Sequence, residues 1–178
     1  MSKYNRVHQL GFVVPDMEAA MDFYGAVYGV KRWYRPLNEP QGELFFEGRP
    51  FSDPGYDMAI GYCGKTEIEL ITVGKVDNLY SRYLAQNPAG GLHHISFFVR
   101  NLDAWVEEYK AKGFRVTQNG VVNGKRSKCR FAYMTRPAEG LGCIVEGAEL
   151  RLGRLRLPSR GPLSFRLGLL TGDTQRLR

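Results

Sequence analysis

Residues 8–24 read HQLGFVVPDMEAAMDFY, and residues 93–109 read HHISFFVRNLDAWVEEY. The two stretches align without a gap at an offset of 85 residues, so that Gln9 lies over His94. Self-similarity at a constant spacing indicates that a chain contains copies of one structural unit. This repeat predicts the fold, and polar residues at matching places in its two copies predict the site.

Each copy has the pattern of a strand followed by a helix. Apolar and β-branched residues over 7–14 and over 92–99 predict two strands. A residue suited to capping a helix follows, and apolar residues then recur at steps of three and four, as on one face of a helix. A glycine ends each helix. The capping and ending residues are Asp16 and Gly29 in the first copy and Asn101 and Gly113 in the second.

Short strands separated by turn residues follow each helix. A short helix at about 77–86 links the two halves, and the two Asn-Gly pairs of NGVVNGKRSK (119–128) predict a turn. The predicted strands are 31–36 or 43–47, 57–63 and 66–73 in the first half, and 114–118, 129–135 and 141–148 in the second.

These elements predict an α+β fold in which two βαβββ modules share one chain. We place the first module at about 5–75 and the second at about 91–150, within one domain over 1–150. If the modules pack about a pseudo-twofold axis, matching strands line one cleft. We therefore expect a curved mixed sheet around a shared site.

The charge of the chain is unevenly distributed. The net charge is +7, and residues 151–178 hold seven arginines and one aspartate. The rest of the chain carries the other 18 basic and 17 acidic side chains, a net charge of +1. Since this Arg- and Leu-rich tail lacks a clear strand or helix period, we expect a poorly ordered extension. The alternative is an arm that binds a polyanion or a partner chain.

Composition also limits the compartment and the partners. The chain has no apolar run long enough to span a bilayer, and its start, MSKYNRVHQL, lacks the apolar core of a signal peptide. Its three cysteines are odd in number and scattered, which favours reduced thiols and a cytoplasmic protein. We expect a small-molecule partner, no nucleic acid and no membrane, and we leave a homodimer open.

Four polar residues stand at matching places in the two modules. The first strands contribute Gln9 and His94, and the last strands, TEIELITV (66–73) and GCIVEGAE (142–149), place Glu69 and Glu146 inside apolar runs. A carboxylate on a buried strand is costly unless it is paired or binds a metal. We therefore predict that one amide, one imidazole and two carboxylates converge on one ion.

Simpler interpretations exist for each residue alone. A histidine at the start of a strand is often structural, and Glu67, on the same face as Glu69, could indicate a solvated face. Because adjacent side chains on a strand point to opposite faces, we expect His93 to face away from the site that His94 faces. The joint placement of the four residues favours the metal site.

Several segments resemble the vicinal oxygen chelate superfamily, which includes glyoxalase I, methylmalonyl-CoA epimerase, bleomycin resistance proteins and extradiol dioxygenases. The resemblance covers about 5–148 and leaves out the tail. It implies the paired βαβββ fold and, as metal ligands, the second histidine of the pair, His94, with Glu69 and Glu146. The segments are VVPDMEAAMDFYGAVYGV (13–30), GKTEIELI (64–71), LAQNPAGGLHHISF (84–97) and GCIVE (142–146).

The first-strand ligand departs from the epimerase pattern. Epimerases of this family usually carry histidine six residues before the proline of Pro-Asp, and counting back from Pro15 gives Gln9. Glutamine occurs there in animal-type glyoxalase I, so Gln9 is a credible ligand through its amide oxygen, although His8 is only one position away. Glyoxalase activity is disfavoured, because the positions that hold glutathione in that enzyme fall on Val13, Val73 and Gly90.

The ligand set predicts Lewis-acid chemistry. Oxygen-rich ligation with one imidazole suits a divalent ion such as Co, Ni, Mn, Zn or Mg, but not the two-histidine iron triad of ring-cleaving dioxygenases. Such an ion polarises a substrate carbonyl, and the resulting enolate oxygen stays on the metal while a carboxylate moves the proton. Glu146 is the first candidate base. Asp53 could serve the opposite face, although SDPG (52–55) is also a good turn sequence.

The sequence thus predicts a metal-dependent epimerase or isomerase that moves a proton on the carbon next to a carbonyl. A small acyl-CoA is the first candidate for its substrate. The cation-rich segment GKRSKCR (124–130) could hold the coenzyme A phosphates or be a solvated hairpin. The alternatives are a metal-free ligand-binding protein of the bleomycin resistance type, and a glyoxalase- or lyase-type enzyme of another pathway.

Overall fold

A computed structural model describes residues 6–37, 43–51, 56–136, 144–157 and 161–178, with only the backbone at 162–164. The four helices are α1 Met17–Tyr28, α2 Leu79–Gln86, α3 Leu102–Ala111 and α4 Pro162–Thr171. The strands are β1 Gln9–Val13, β2 Tyr34–Pro36, β3 Leu44–Phe46, β4 Arg49–Phe51, β5 Tyr56–Cys63, β6 Thr66–Val73, β7 Gly91–Phe98, β8 Arg115–Asn123, β9 Ser127–Thr135, β10 Ile144–Leu152, β11 Leu155–Leu157 and β12 Thr174–Arg176.

The strands form one curled mixed sheet with the order β12-β2-β5-β6-β1-β7-β10-β9-β8-β3-β4, and β11 pairs with β10. At its centre β1 runs antiparallel to β7, and each has a parallel neighbour on its other side, β6 and β10 respectively. The antiparallel strands β5 and β9 follow. The order of these six central strands is thus mirrored about the β1–β7 pair within an α+β fold, while β3 and β4 of the first half lie beside β8.

The predicted helix ends are confirmed. The Asp16 side chain accepts a hydrogen bond from the Ala19 amide, and Gly29 closes α1 in the left-handed conformation with φ of 69°. Asn101 caps α3 in the same way, through the amide of Ala104. These caps use backbone groups that have no partner within the helix, so the helix boundaries follow from local chemistry.

The helices cover the two faces of the sheet unequally. Helix α1 packs through Met21 on apolar residues of β1, β5 and β6, and α3 packs through Trp105 on apolar residues of β9 and β10. On the other face, α2 packs through Tyr80 beside Val13, Ile71 and Tyr133. That inner face carries the candidate site.

The turn predicted over 119–128 is shorter in the structure. Strand β8 continues through the first Asn-Gly pair, and only the second pair, Asn123-Gly124, lies at the turn. A Cβ on Gly120 would lie 2.6 Å from Leu44 Cδ2, so this glycine allows β3 to approach β8 closely. Pairing on both sides of β8 therefore outweighs the local turn preference.

The tail also differs from the expected poorly ordered extension. Strand β11 pairs with β10, β12 pairs with β2, and α4 lies between them in the chain. Phe165 of α4 is buried against Tyr34 and Ile60, and Arg178 forms ion pairs with Glu18 and Asp22 of α1. Phe165 packs on a surface that only the folded body supplies, so no period in the tail could indicate it. None of the described helices has the length and apolar character needed to cross a bilayer.

Candidate metal centre

The strand register brings the four predicted ligands onto neighbouring strands. Gly11 of β1 pairs with Glu69 of β6 on one side and with His94 of β7 on the other. Strand β10 runs beside β7 and pairs Glu146 with Ser96. Since residues two apart on a strand share a face, Gln9, Glu69, His94 and Glu146 come from four adjacent strands on one side of the sheet.

His94 lies between the two carboxylates. Its Nε2 is 3.3 Å from Glu69 Oε2 and 3.5 Å from Glu146 Oε2, and all three side chains are buried. This nitrogen has no hydrogen-bond partner of good geometry. Glu69 and Glu146 line one small cavity together with Gln9. The structure thus brings all four predicted residues to one place.

The donors fit a divalent ion in type and in spacing. Among the described residues, no three His, Cys, Asp or Glu side chains stand as a preformed metal cluster. Adjacent ligands about 2.1 Å from an octahedral ion stand about 3.0 Å apart, however, close to the separations of 3.3 and 3.5 Å found here. The buried Nε2 of His94 lies between two carboxylates and has no hydrogen-bond partner of good geometry, and a cation would complete this arrangement.

The same two carboxylates act on the pKa of His94. Burial by itself lowers the pKa of His94, but the close contact with the Glu69 carboxylate and the negative charge of Glu146 outweigh it, so the pKa is raised. Two buried carboxylates therefore favour a positive charge at the imidazole.

The adjacent histidines contradict the expected alternation. The β1–β7 register steps from Gly11 opposite His94 to Phe12 opposite Leu92, which leaves His93 as the extra residue of a β-bulge. The two Nδ1 atoms are 2.9 Å apart and both rings are buried. The prediction that the rings face opposite sides is wrong, because a bulge interrupts the two-residue period. Burial lowers the pKa of His93, so its neutral ring can accept a hydrogen bond from His94 Nδ1.

A buried hydrogen-bond chain orients Gln9. Its Nε2 donates to Glu67 Oε1 at 2.7 Å, and the Tyr62 hydroxyl donates to Glu67 Oε2 at 2.7 Å. An ionised carboxylate only accepts, so the amide nitrogen faces Glu67 and the amide oxygen is left as the possible ligand atom. Glu67 is 1% exposed, which contradicts the alternative of a solvated face. His8 lies elsewhere, because its Nδ1 accepts from the Phe98 amide.

Three tyrosines complete the cavity, and the sequence did not assign them to the site. Tyr56, Tyr80 and Tyr133 line it, and the hydroxyls of Tyr80 and Tyr133 are 2.8 Å apart. Burial, followed by neighbouring groups that include Glu69 and Glu146, raises the pKa of each phenol, so all three stay protonated. Tyr133 lies opposite Glu146 in the register of β9 and β10, so a correct pairing of these two strands would have placed it at the site. No pattern in the sequence places Tyr80 of α2 there.

Two other predictions concern Asp53 and the cation-rich segment GKRSKCR. Asp53 lies outside the described residues. Arg130, the last cation of GKRSKCR, binds Asp103 through two hydrogen bonds of 3.1 and 2.6 Å, and it also contacts Glu149. Arg130 therefore has a structural role, and a phosphate-binding role for the hairpin would rest on its other cations.

Proteins with similar sequences are described as acyl-CoA epimerases. A bovine methylmalonyl-CoA epimerase, described as mitochondrial, is 27% identical over 141 residues, which cover 79% of this chain and 72% of the relative. An ethylmalonyl-CoA/methylmalonyl-CoA epimerase of Cereibacter sphaeroides is 29% identical over 142 residues, which cover 79% of this chain and 95% of the relative.

A solved structure supports the fold alone. A variant of Streptomyces coelicolor methylmalonyl-CoA epimerase, in complex with 2-nitronate-propionyl-CoA, superposes with a TM-score of 0.57 at 22% identity and covers 82% of this chain and 97% of its own. The sequence profile described as the glyoxalase/bleomycin resistance protein/dioxygenase superfamily matches residues 8–133. This chain therefore belongs to the glyoxalase/bleomycin resistance protein/dioxygenase superfamily.

Proposed function

We propose that this protein is a metal-dependent epimerase that moves a proton at the carbon next to the carbonyl of a small acyl-CoA. The observation that carries the proposal is the placement of His94 Nε2 within 3.5 Å of both Glu69 and Glu146 in a buried cluster. Relatives of 27 and 29% identity named as acyl-CoA epimerases support the reaction type.

Four side chains would hold the ion. The donor atoms are the amide oxygen of Gln9, Nε2 of His94 and one carboxylate oxygen each from Glu69 and Glu146. The oxygen-rich set suits Co, Ni, Mn, Zn or Mg. When bound, a divalent ion would polarise the substrate carbonyl and make the neighbouring C–H more acidic.

We assign the proton transfer to two carboxyl groups that act on opposite faces of the reacting carbon, one as a base and the other as an acid. Glu146 accepts the proton as the C–H bond breaks, and the electron pair is delocalised into the adjacent carbonyl. Asp53 returns a proton to the other face and so inverts the carbon. The buried phenols of Tyr56, Tyr80 and Tyr133 stay protonated, so they can donate hydrogen bonds to substrate oxygens without competing for the transferred proton.

Solvent deuterium exchange tests this assignment. Metal-loaded protein is incubated in D₂O with one epimer of methylmalonyl-CoA and, separately, of ethylmalonyl-CoA, and both α-deuterium and inversion are measured by mass spectrometry and chiral analysis. We expect the wild type to catalyse both. Glu146→Gln should slow exchange by about 10²–10⁴-fold, the usual contribution of a positioned base. Asp53→Asn should abolish inversion while exchange on the Glu146 side continues.

The matched control is Glu107→Gln, because Glu107 is exposed on α3 and pairs only with Lys110 in the described structure. It should leave both rates unchanged. Wild-type exchange in Glu146→Gln would remove Glu146 from the role. No exchange by the metal-loaded wild type with either thioester would reject the proposed reaction. A protein purified without metal and insensitive to added divalent ions would instead favour the metal-free ligand-binding alternative.

A further inference from the structure

A second, larger cavity of about 430 Å³ lies under α4. One wall comes from β2 and β12 and the other from β8, β9 and β10, while α4 forms the roof. The volume is within the range of about 300–1,000 Å³ that is common for small-molecule sites. The lining residues used below are Pro36, Val122, Cys129, Leu150, Leu167 and Asp173.

This α4 cavity adjoins the candidate metal centre. Pro36, Val122 and Cys129 line both cavities. Cys129 pairs with Leu150 across β9 and β10, four residues along β10 from Glu146, so the two cavities follow the same face of the same strands. A group attached to the reacting carbon could therefore extend from the metal centre into the α4 cavity.

The roof is held in place by specific contacts. Phe165 stacks on Tyr34 with ring centroids 5.4 Å apart. The Thr171 hydroxyl donates to Asp173 Oδ2 at 2.6 Å, and the Arg126 amide of the β8–β9 turn donates to Asp173 Oδ1 at 3.3 Å. These contacts join α4 to both walls, so the cavity belongs to the folded structure.

The chemistry of the lining selects an apolar occupant. Five leucines, a valine, a proline and Phe165 make up eight of the sixteen described lining residues, and three more are glycines. Among the described lining residues Asp173 is the only charged one, and the contacts with Thr171 and Arg126 already use its carboxylate. No lysine or arginine is among these described lining residues, so a carboxylate or phosphate would lose its hydration without gaining a partner.

We infer that the α4 cavity binds an alkyl substituent on the reacting carbon, so that the preferred substrates are 2-alkylmalonyl thioesters with chains longer than methyl. The inference rests on the proposed function for the reaction, but the cavity can be tested without turnover. Helix α4 lies beyond residues 8–133, which match the superfamily profile.

A series of thioesters measures the preference. Methyl-, ethyl-, butyl- and hexylmalonyl-CoA are compared by kcat/KM for α-proton exchange, and the same alkyl series is repeated on N-acetylcysteamine, which lacks most of the coenzyme A arm. We expect kcat/KM to rise at least tenfold from methyl to hexyl on both carriers. A rise that disappears on the short carrier would mean that the cavity holds the coenzyme A arm, and would overturn the inference.

Substitutions at two positions of α4 test whether the alkyl group binds in the α4 cavity. Leu167 is 51% exposed and lines the cavity, whereas Leu170 is 85% exposed on the same helix and does not line it. Leu167→Glu should reduce the hexyl-to-methyl ratio to near one with little change for methylmalonyl-CoA, and Leu170→Glu should keep the wild-type ratio. Cys129→Phe, which adds bulk at a residue that lines both cavities, should also reduce the ratio. A wild-type ratio in both Leu167→Glu and Cys129→Phe would contradict the inference.

Calorimetric binding separates this inference from the proposed function. Hexanoyl-CoA should bind the wild type at least tenfold more tightly than acetyl-CoA, and Leu167→Glu should remove the difference. If that holds while no thioester exchanges its proton, the proposed reaction fails and the cavity assignment stands. Equal rates across the series, with equal binding of the two acyl-CoAs, would leave the reaction standing and reject the cavity assignment.

Discussion

The position of the His94 ring depends on a residue without a side chain. A Cβ on Gly11, the β1 residue opposite His94, would lie 1.9 Å from the ring atom Cε1 and 2.3 Å from Nε2. The contact is with a buried aromatic ring that cannot swing away freely. Gly11 therefore holds the imidazole between the two carboxylates by leaving it room.

Gly11→Ala should displace the imidazole and lower both bound metal and proton exchange by at least tenfold. Metal content is measured by elemental analysis of purified protein after dialysis against the ion, with circular dichroism to verify the fold. Gly161→Ala is the matched control, since among the described residues other than its chain neighbours no atom lies within 4 Å of a Cβ built there. If Gly11→Ala keeps a full equivalent of metal, the ring position does not depend on this glycine.

Glu67 acts on the candidate site through Gln9. Groups that orient a metal ligand typically contribute 10–100-fold to affinity. Glu67→Gln removes the carboxylate that forces the Gln9 amide nitrogen to face away from the cavity, so metal affinity should fall by about that factor. Competition with a chelator of known affinity measures the change. Tyr62→Phe removes only the hydrogen bond from Tyr62 to Glu67, so it should lower metal affinity less than Glu67→Gln does. An equally large loss of affinity in Tyr62→Phe would contradict the role assigned to Glu67.

At the scale of elements, a buried carboxylate joins α3 to the sheet. Glu149 of β10 is 1% exposed, and its Oε2 accepts a hydrogen bond from the Leu102 amide in the first turn of α3. Its other oxygen accepts from Arg151 at 2.7 Å. Burial raises the pKa of Glu149, but the Leu102 amide and the Arg151 and Arg156 charges outweigh it, so the pKa is lowered.

The lowered pKa predicts how stability depends on pH. Because Glu149 binds its proton less readily in the folded chain, its contribution is present above the unfolded value of 4.5 and is lost as pH falls through the lower folded pKa. Glu149→Gln should reduce the free energy of unfolding by about 1–3 kcal/mol at pH 7, and the difference should shrink below about pH 4. Urea unfolding at pH 7 and pH 3.5 tests this. A difference that stays constant with pH would show that the charge of Glu149 does not matter.

At the scale of the whole molecule, the tail completes the sheet and encloses the α4 cavity. We propose that residues 161–178 belong to the same folding unit as the body. Arg178 pairs with Glu18 and Asp22 on α1, and Arg151 and Arg156 lie against Glu149. Part of the basic charge considered for a polyanion-binding arm is thus neutralised within the chain. The cytoplasmic location and the homodimer stay predictions.

Substitution of Phe165 tests whether the tail stabilises the fold. Its ring is buried between Tyr34 and Tyr62, so Phe165→Ala should lower the free energy of unfolding by about 3 kcal/mol. Leu170→Ala, at an exposed position of the same helix, should change it by less than about 0.5 kcal/mol. Equal stabilities of Phe165→Ala and the wild type would mean that the tail is a separable extension.

The sequence alone determined the features that depend on local chemistry. Helix caps such as Asp16 and Asn101, the linking helix and most strands follow from hydrogen bonds and side-chain periods within a few residues. The internal repeat also indicated that Gln9, Glu69, His94 and Glu146 would meet, because symmetry relates positions far apart in the chain. Their proximity in the structure matches that expectation, while their role as ligands stays a prediction.

Only the tertiary structure determined the features that depend on contacts between distant residues. The bulge at His93 arises from the pairing of β7 with β1, and the Gln9–Glu67 hydrogen bond joins strands from two parts of the first half. The turn after β8 and the packing of Phe165 likewise depend on neighbours more than 70 residues away in the chain. Free energy from such contacts exceeds local preference, and no pattern in the sequence near these residues records it.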